Sequence, residues 1–507
     1  MGKYILAHDL GTSGNKASLY DTTGALGASV LYEYPTYYPD VNCVEQDAED
    51  WWKAVCDSTR QLMEKANVSP EEIIAVSFSA QMMGCLLVDK NGDPLSNMII
   101  WADMRAKAQE QALIDRVGME RVYRITGHRA SASYSAAKLF WMRDNRPEVY
   151  GRAYKMLHAK DYIIHKLTGK FVTDYSDASG TNLLDLEKKT WSREILDAME
   201  IPEGLLPELH ASTDIAGGIT AAAAAATGLL EGTPVVIGGG DGSCACVGAG
   251  VVREGKTYNV IGSSSWISCA TRKPVFDDQM RTFNWVHLDP QYITPCGTMQ
   301  AAGYSFSWLK NTLCDSEAAL AKETGERTYS IIDREIQSAP AGSNKLLYLP
   351  YLLGERSPRW NKDARGAFVG LSVTSTKAEI LRSVLEGVGY NLKIILDILD
   401  KSIPIEEVTV IGGGARSAVW MQILADIWQK PVAVPRYLEE ATSIGAAVCA
   451  GVGVGAFESF DVIDQINATQ TILQPNPENA AIYEKLFAAF DTAYTGLLST
   501  YDELAKI

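Results

Sequence analysis

The feature that most constrains this 507-residue chain is a pattern that occurs twice. Near the start, KYILAHD (3–9) and KASLYD (16–21) are β-rich runs joined by LGTSGN, whose Gly11, Ser13, Gly14 and Asn15 favour a tight hairpin. A third β-rich run, ASVLYEYP (28–35), follows Gly24. Far along the chain the arrangement returns as KTYNV (256–260), the small-residue turn IGSSS and a second run, WISCA (266–270). Two halves that each open strand, Gly/Ser turn, strand predict an internally duplicated α/β fold. The length also exceeds what one core usually holds. The division is placed where the run SCACVGAG ends, giving domains 1–249 and 250–507.

The remainder alternates helices and strands. Helices are expected at 50–66, at 219–230 with its six consecutive alanines, at 377–399 and at 418–429. The third of these shows helical spacing through Ile380, Leu381, Val384, Leu385 and Val388. Strands are expected at 73–79, at 408–411 and through PVVI, which runs into GGGD and ends at Asp241.

Charge narrows the function. The formal net charge is −16, with no Lys/Arg run to offset it, which argues against nucleic acid or an anionic membrane as partner. Nine scattered cysteines form neither a disulfide framework nor a zinc pattern. The opening MGKYILAHDL lacks the apolar core of a signal peptide, and Ile215–Leu230 is too short and too rich in Ala, Gly and Thr to span a bilayer. A cytoplasmic protein is expected.

GVVREGKT (250–257) fits the phosphate-loop pattern G-x-x-x-x-G-K-[ST]. That loop needs a helix beginning at its Lys-Thr, because helix N-terminal amides hold the phosphates. Here Lys256-Thr257 leads into β-rich TYNV, so the match is read as a surface connector. Phosphate handling is assigned instead to the two Gly/Ser turns, whose successive amides form anion-binding concavities. In the first, Gly11, Thr12 and Ser13 supply donors, and Asp9 is placed to hold hydrated Mg²⁺ beside them. In the second, Gly262, Ser263 and Ser264 do the same. Asp241, at the C-terminal end of an apolar strand and flanked by glycines, is a candidate base for a reacting hydroxyl and a second candidate metal ligand; a turn-stabilising Asp is the competing reading. GGGARS (412–417) offers Gly412, Gly413 and Gly414 as a flat surface for adenine, or an ordinary strand-to-helix turn.

The blocks DLGTSG, SAQMMG, WADMR, KDY, SDASGT, GGGDG, GSSSW, LPYLLGERSP, LEGVGY and GGGARS, in this order across nearly the whole chain, closely resemble the FGGY carbohydrate kinases, the xylulokinases in particular. The resemblance implies two actin-like domains on ribonuclease-H-like cores, with ATP and a small-molecule sugar in the cleft between them. It implies Asp241 as catalytic base, Asp9 near the metal, the two turns on the ATP phosphates and GGGARS on adenosine. It places Gln81, Met82 and Met83 on the sugar, with Trp101, Asp103 and Arg105 near the same pocket. For WADMR, a structural ion pair between Asp103 and Arg105 is the other reading. A homodimer is also implied.

Four positions depart from the family pattern. Met83 stands where the sugar loop usually has His, Gly242 where Asn often follows the catalytic Asp, GSSS where GTSG is usual, and His8 where an aliphatic residue is common. The ATP machinery is therefore expected intact and the sugar pocket altered. The expected activity is phosphorylation of a terminal hydroxyl, with D-xylulose as leading acceptor. Another ketose, a polyol or a sugar acid such as gluconate is the alternative within the family; a non-catalytic actin-like sugar or nucleotide sensor is the alternative outside it.

Overall fold

The computed structural model describes residues 4–507. The opening strand spans Tyr4–Leu10, and Lys3, its expected first residue, lies outside the described residues with the rest of Met1–Lys3. Its partner is Gly14–Asp21, and the third strand is Leu26–Glu33. The turn is closed by the Gly11 N–H donating to Gly14 O at 3.0 Å. Ile5, Leu6, Ala7 and Leu10 are all fully buried, which is why this strand is apolar on both faces and sits centrally in its sheet.

Read from the Leu26–Glu33 edge, the first sheet continues through Gly14–Asp21, Tyr4–Leu10, Ile73–Ala80, Pro234–Val236 and Ile215–Gly218. The successive pairings are antiparallel, antiparallel, parallel, parallel and antiparallel. The second sheet, read from Ile293–Met299, continues through Ser265–Cys269, Thr257–Ile261, Val408–Ile411, Val432–Pro435 and Thr469–Leu473, with Phe283–Val286 added outside. Its pairings follow the same sequence of senses. The repeat seen in the two strand–turn–strand openings thus extends over six strands of each sheet. The last strand differs in connection: Ile215–Gly218 precedes its neighbour in the chain, whereas Thr469–Leu473 follows its own.

Helices form where spacing and caps agree. Ala48–Ala66 is capped by the Asp47 carboxylate, which accepts the Glu49 N–H, and ends at Asn67 in the left-handed region. Its Trp51, Val55 and Leu62 pack with Leu6 and Leu19 of the sheet. Lys377–Ser402 starts in a capping box between Thr376 and Glu379. The alanine run is helical only over Ala221–Thr227, shorter than expected. Thr220 caps its start and Gly228, at φ 81°, ends it.

Of the helices not placed from the sequence, one bears directly on the cleft. Asp241–Gly248 is helical although DGSCACVG has no apolar periodicity. It crosses a helix of the second half, Ala441–Gly453, at very close range. A Cβ on Gly445 would lie 2.7 Å from the carbonyl carbon of Cys244, and one on Gly248 would lie 2.7 Å from the Cα of Ala441. Residues of Ala441–Gly453 also share a core with the first sheet: Ile444, Ala447 and Val448 pack with Ile5, Ala7, Tyr20 and Ala75. This late segment of the chain therefore rests on the first sheet and ties the two halves together behind the cleft.

All nine cysteines are free thiols, eight of them buried, which agrees with the absence of a disulfide framework in the sequence. Among the described residues no helix is long and apolar enough to cross a membrane.

Candidate active site

The C-terminal ends of the first sheet's central strands converge on Asp241. Gly239 and Gly240 pair with Ser79 and Ala80, and Asp241 opens the helix behind them. Side chains are excluded from this approach: a Cβ on Gly240 would fall 2.7 Å from Cγ of Met82, and one on Gly239 would fall 2.5 Å from Oγ of Ser176. The Gly240 N–H donates to Ser176 Oγ at 3.1 Å, and the Ser176 N–H donates to Asp174 at 2.8 Å. Asp174 in turn lies 3.1 Å from the fully buried ammonium of Lys160, which also meets Asp161 at 2.7 Å and Asp177 at 3.3 Å. The KDY and SDASGT blocks are thus one buried network under the GGGDG turn.

The Asp241 carboxylate opens into the cleft and accepts the Gly242 N–H at 2.8 Å. The side chain keeps an exposed edge toward the cleft, and the protein on its other sides, reinforced by the charge of Asp9, raises its pKa. Asp9 accepts from Ser79 Oγ at 2.8 Å and from Thr442 Oγ1 at 2.6 Å. Burial raises its pKa too, against those two bonds and the charge of Lys16. Two carboxyls held in one cleft with raised pKa values suit a cation between or beside them, which would favour both charged forms.

His8, the unexpected neighbour of Asp9, takes no part in the cleft. It is fully buried, stacks on Phe78 at 5.4 Å and accepts from Asn15 Nδ2 at 3.0 Å. Burial pushes its pKa down to about 3, so it is a neutral core imidazole.

The second Gly/Ser turn stands between two cavities. On one side a cavity of about 410 Å³ is lined by Gly262, Ser263, Phe306, Tyr329, Gly413 and Gly414 among others. Gly413 has open space at its Cβ position up to Glu439 Oε1 at 3.9 Å, so a flat ring can approach that backbone. Gly412 does not line the cavity. At φ 87° and with its Cβ position 2.6 Å from Ile261 O, it shapes the turn that presents its neighbours. On the other side Ser264, Met82, Met83, Trp101 and Asp241 line a cavity of about 320 Å³. Of the three serines of one turn, Ser263 therefore lines one chamber and Ser264 and Ser265 the other.

The first turn reaches the same place by a hydrogen bond. Trp101 lines the Asp241 cavity and donates from Nε1 to Thr12 Oγ1 at 2.9 Å. Thr12 O is held by Gln46 Nε2 at 2.6 Å, while Ser13 is exposed and Gly11 closes the turn with Gly14. Gly11, Thr12 and Ser13 do not line either chamber themselves.

Three of the expected sugar contacts are placed elsewhere. Gln81 is buried, with Nε2 donating to Gln46 Oε1 at 2.7 Å. Asp103 is fully buried and bonded to Arg105, whose NH2 lies 2.7 Å from Asp103 and 2.8 Å from Glu45. Asp103 also accepts the Val44 N–H at 2.6 Å. None of the three lines the cavity. The structure gives Asp103 and Arg105 the ion pair, because both carboxylate oxygens are spent on backbone and guanidinium partners.

Other residues line the cavity or hold its walls without a local signal in the sequence. Lys138 is fully buried, its ammonium donating to Met83 O at 2.8 Å and Ser133 O at 2.6 Å, and burial pushes its pKa down to about 7. It fixes Met83, which sits at φ 63°, a conformation costly for a non-glycine residue. Trp285, Thr298, Gln300 and Arg356 complete the walls. A lysine inside AAKLF was a detectable anomaly; the others come from segments that only folding brings together. Lys256 lies at a surface turn, and Thr257 opens a strand, so the phosphate-loop look-alike has no helix to complete it.

With this geometry in view, comparison with known proteins is direct. The model of the FGGY family of carbohydrate kinases matches in both parts, the N-terminal domain over residues 4–248 and the C-terminal domain over 257–454. The xylulose kinase of Bacillus subtilis (strain 168) is 32% identical over 497 residues, covering 97% of each chain. A crystal structure of gluconate kinase from Lactobacillus acidophilus superposes with a TM-score of 0.91 at 30% identity, covering 99% of each chain. The ligand-bound xylulose kinase of the same organism also gives 0.91 at 30% identity, covering 99% of this chain and 100% of that one. Two domains of actin-like fold, sheets duplicated strand by strand and a cleft between them place this chain in the FGGY family of carbohydrate kinases, phosphotransferases that use ATP on an alcohol group of a sugar.

Proposed function

We propose that this kinase transfers the γ-phosphoryl group of ATP to the terminal hydroxyl of an open-chain acceptor of five or six carbons. One observation carries the reading: the Gly262–Ser265 turn lines both the chamber that holds Asp241 and a glycine-lined, aromatic-walled one. Adenine is assigned to the Gly413–Gly414 side and the acceptor to the Asp241 side, so the phosphate chain passes along the turn. Backbone amides of Thr12–Ser13 and Ser263–Ser264 are assigned to the phosphates, while those of Gly11 and Gly262 close their own turns. Asp241 takes the hydroxyl proton as the oxygen attacks phosphorus, and Trp101, tethered to Thr12, walls the acceptor against the first turn. Asp9 is assigned to Mg²⁺, and Asp241, whose titration feels the charge of Asp9, is assigned as the second carboxylate beside it. When bound, Mg²⁺ neutralises phosphate charge. Closure of the halves around the crossed helices would exclude water, which otherwise competes as acceptor.

For the acceptor, D-xylulose is supported by the xylulose kinase relatives and a sugar acid by the gluconate kinase of L. acidophilus. Met83, in place of an imidazole, removes a polar contact expected for the ketopentose. The free guanidinium groups of Arg129 and Arg356 favour the acid. A pure sensor has no use for a base at Asp241 and is not favoured. We assign 1–249 and 250–507 as the two domains, the cytoplasm as the compartment and a homodimer as the assembly.

The test is ADP release with Mg-ATP across ketopentoses, polyols and sugar acids, with Asp241→Asn alongside. The variant is expected to lose 10²-fold or more in kcat, within the range of a general base, while still binding ATP. Near-normal turnover by Asp241→Asn would remove the base from the mechanism.

A further inference from the structure

We propose that the outer end of the acceptor chamber is a carboxylate-binding subsite made by Arg129 and Arg356, so that the preferred substrate is an open-chain sugar acid whose carboxylate lies remote from the hydroxyl facing Asp241. The inference rests on the kinase reading. The chamber containing Asp241 continues into a second cavity of about 450 Å³, the two sharing Met83, Trp101, Gln300 and Arg356. Asp241 lines only the inner part and Arg129 only the outer.

Among the described residues neither Arg129 nor Arg356 has an ion-pair partner within 4.0 Å, and neither guanidinium makes a hydrogen bond, in a chain whose net charge is −16. Both are half-buried. Their flat faces are taken by aromatic rings, Arg129 at 4.6 Å from the Trp360 centroid and Arg356 at 5.8 Å from that of Phe283. Stacking holds a guanidinium in place yet leaves its N–H edge free, which is the geometry that binds a carboxylate.

Charge selects a monoanion. Glu110 lines the same outer cavity, with Oε2 accepting the Ala132 N–H at 2.8 Å, so two arginines and one carboxylate leave a single positive charge. Glu355, behind the wall, takes the N–H groups of Gln300 and Arg356, each at 2.9 Å. Burial pushes its pKa up to about 8, against those two bonds and one from Asn391 Nδ2 at 3.2 Å, and its carboxyl is turned to these donors rather than to the Arg356 guanidinium. Between the two ends, Thr298 lines the inner cavity, its buried Oγ1 without a hydrogen-bond partner.

The test uses acceptors matched except at one end: D-gluconate against D-glucitol and D-glucitol 1-phosphate, and D-xylonate against xylitol and D-xylulose. The wild-type protein is expected to favour the aldonate over its alditol by at least about tenfold in kcat/KM, the factor one charge-assisted hydrogen bond supplies. In Arg129→Gln that ratio should fall toward about 1, and Arg129→Lys should keep part of it. An alditol or D-xylulose preferred by the wild type, a ratio unchanged in Arg129→Gln, or the phosphate ester as the best acceptor would each overturn the subsite while leaving the kinase reading in place. Silence toward every acceptor, with Asp241→Asn no different, would overturn both.

Discussion

Gly445→Ala separates two opposed expectations. Within a helix, alanine is favoured over glycine by about 0.8–1.0 kcal/mol, so propensity alone predicts a more stable protein. The crossing predicts the reverse. The new Cβ would meet Cys244 at its carbonyl oxygen, at the carbonyl carbon (2.7 Å) and at Cα (2.9 Å), all of them backbone atoms that no rotamer can withdraw. Ordinary contact begins at 3.4 Å, so the helices must part by well over half an ångström. Overpacking of this kind costs about 1–3 kcal/mol, which exceeds the propensity gain. At roughly 2–4 °C per kcal/mol for a unit near this size, the melting midpoint should fall by a few degrees. The larger effect is on catalysis, because Asp241 is the first residue of the displaced helix. A misplacement of about 1 Å at a reacting group can cost 10²-fold. The assay is kcat for ADP release with a saturating acceptor, alongside thermal melting and ATP binding by calorimetry. A protein that melts higher and turns over normally would refute the argument that glycine here is a requirement of the crossing.

Further outcomes follow from other parts of the site. Lys160→Met leaves Asp161, Asp174 and Asp177 buried around a missing cation, and should destabilise by about 3–5 kcal/mol as read in denaturant melts, since that is the cost of breaking a buried charge cluster. Lys138→Met frees the Met83 carbonyl and should raise the acceptor KM about tenfold while leaving ATP affinity unchanged; equal loss for both ligands would make Lys138 merely structural. The folded pKa of Lys138 is depressed from 10.5 to about 7, so its contribution to stability is full above the unfolded value and lost as pH falls through the folded one. The melting difference between wild type and Lys138→Met should therefore move against wild type from pH 10 to pH 7 and level off below. Gly242→Asn meets no atom within 4 Å at Cβ and should fold normally, shifting acceptor preference rather than stability in the matched-acceptor panel.

Sequence alone determined the features whose causes are local. Gly and Ser between two β-rich runs make a hairpin whatever surrounds it, so both Gly/Ser turns were legible, as was the duplication they announce. Periodicity and caps were enough for Ala48–Ala66 and Lys377–Ser402, whose first turns carry their own partners. The ending of PVVI in glycines placed Asp241 at a strand terminus, and β-rich TYNV was enough to disqualify the Lys256 look-alike. Tertiary structure decided everything that depends on close approach or on loss of water. DGSCACVG becomes a helix because only small residues let it lie against Ala441–Gly453, a partner two hundred residues away in the chain. Asp103 and Arg105 are drawn from the sugar pocket into an ion pair because burial leaves an unpaired carboxylate too costly. Thr442 reaches Asp9, Lys138 reaches Met83, and Arg129 and Arg356 meet along one chamber only once distant segments are packed. Backbone propensity acts between neighbours and can be read in order along a chain; desolvation and steric fit act between whatever folding brings together, and those forces shaped the acceptor end of this site.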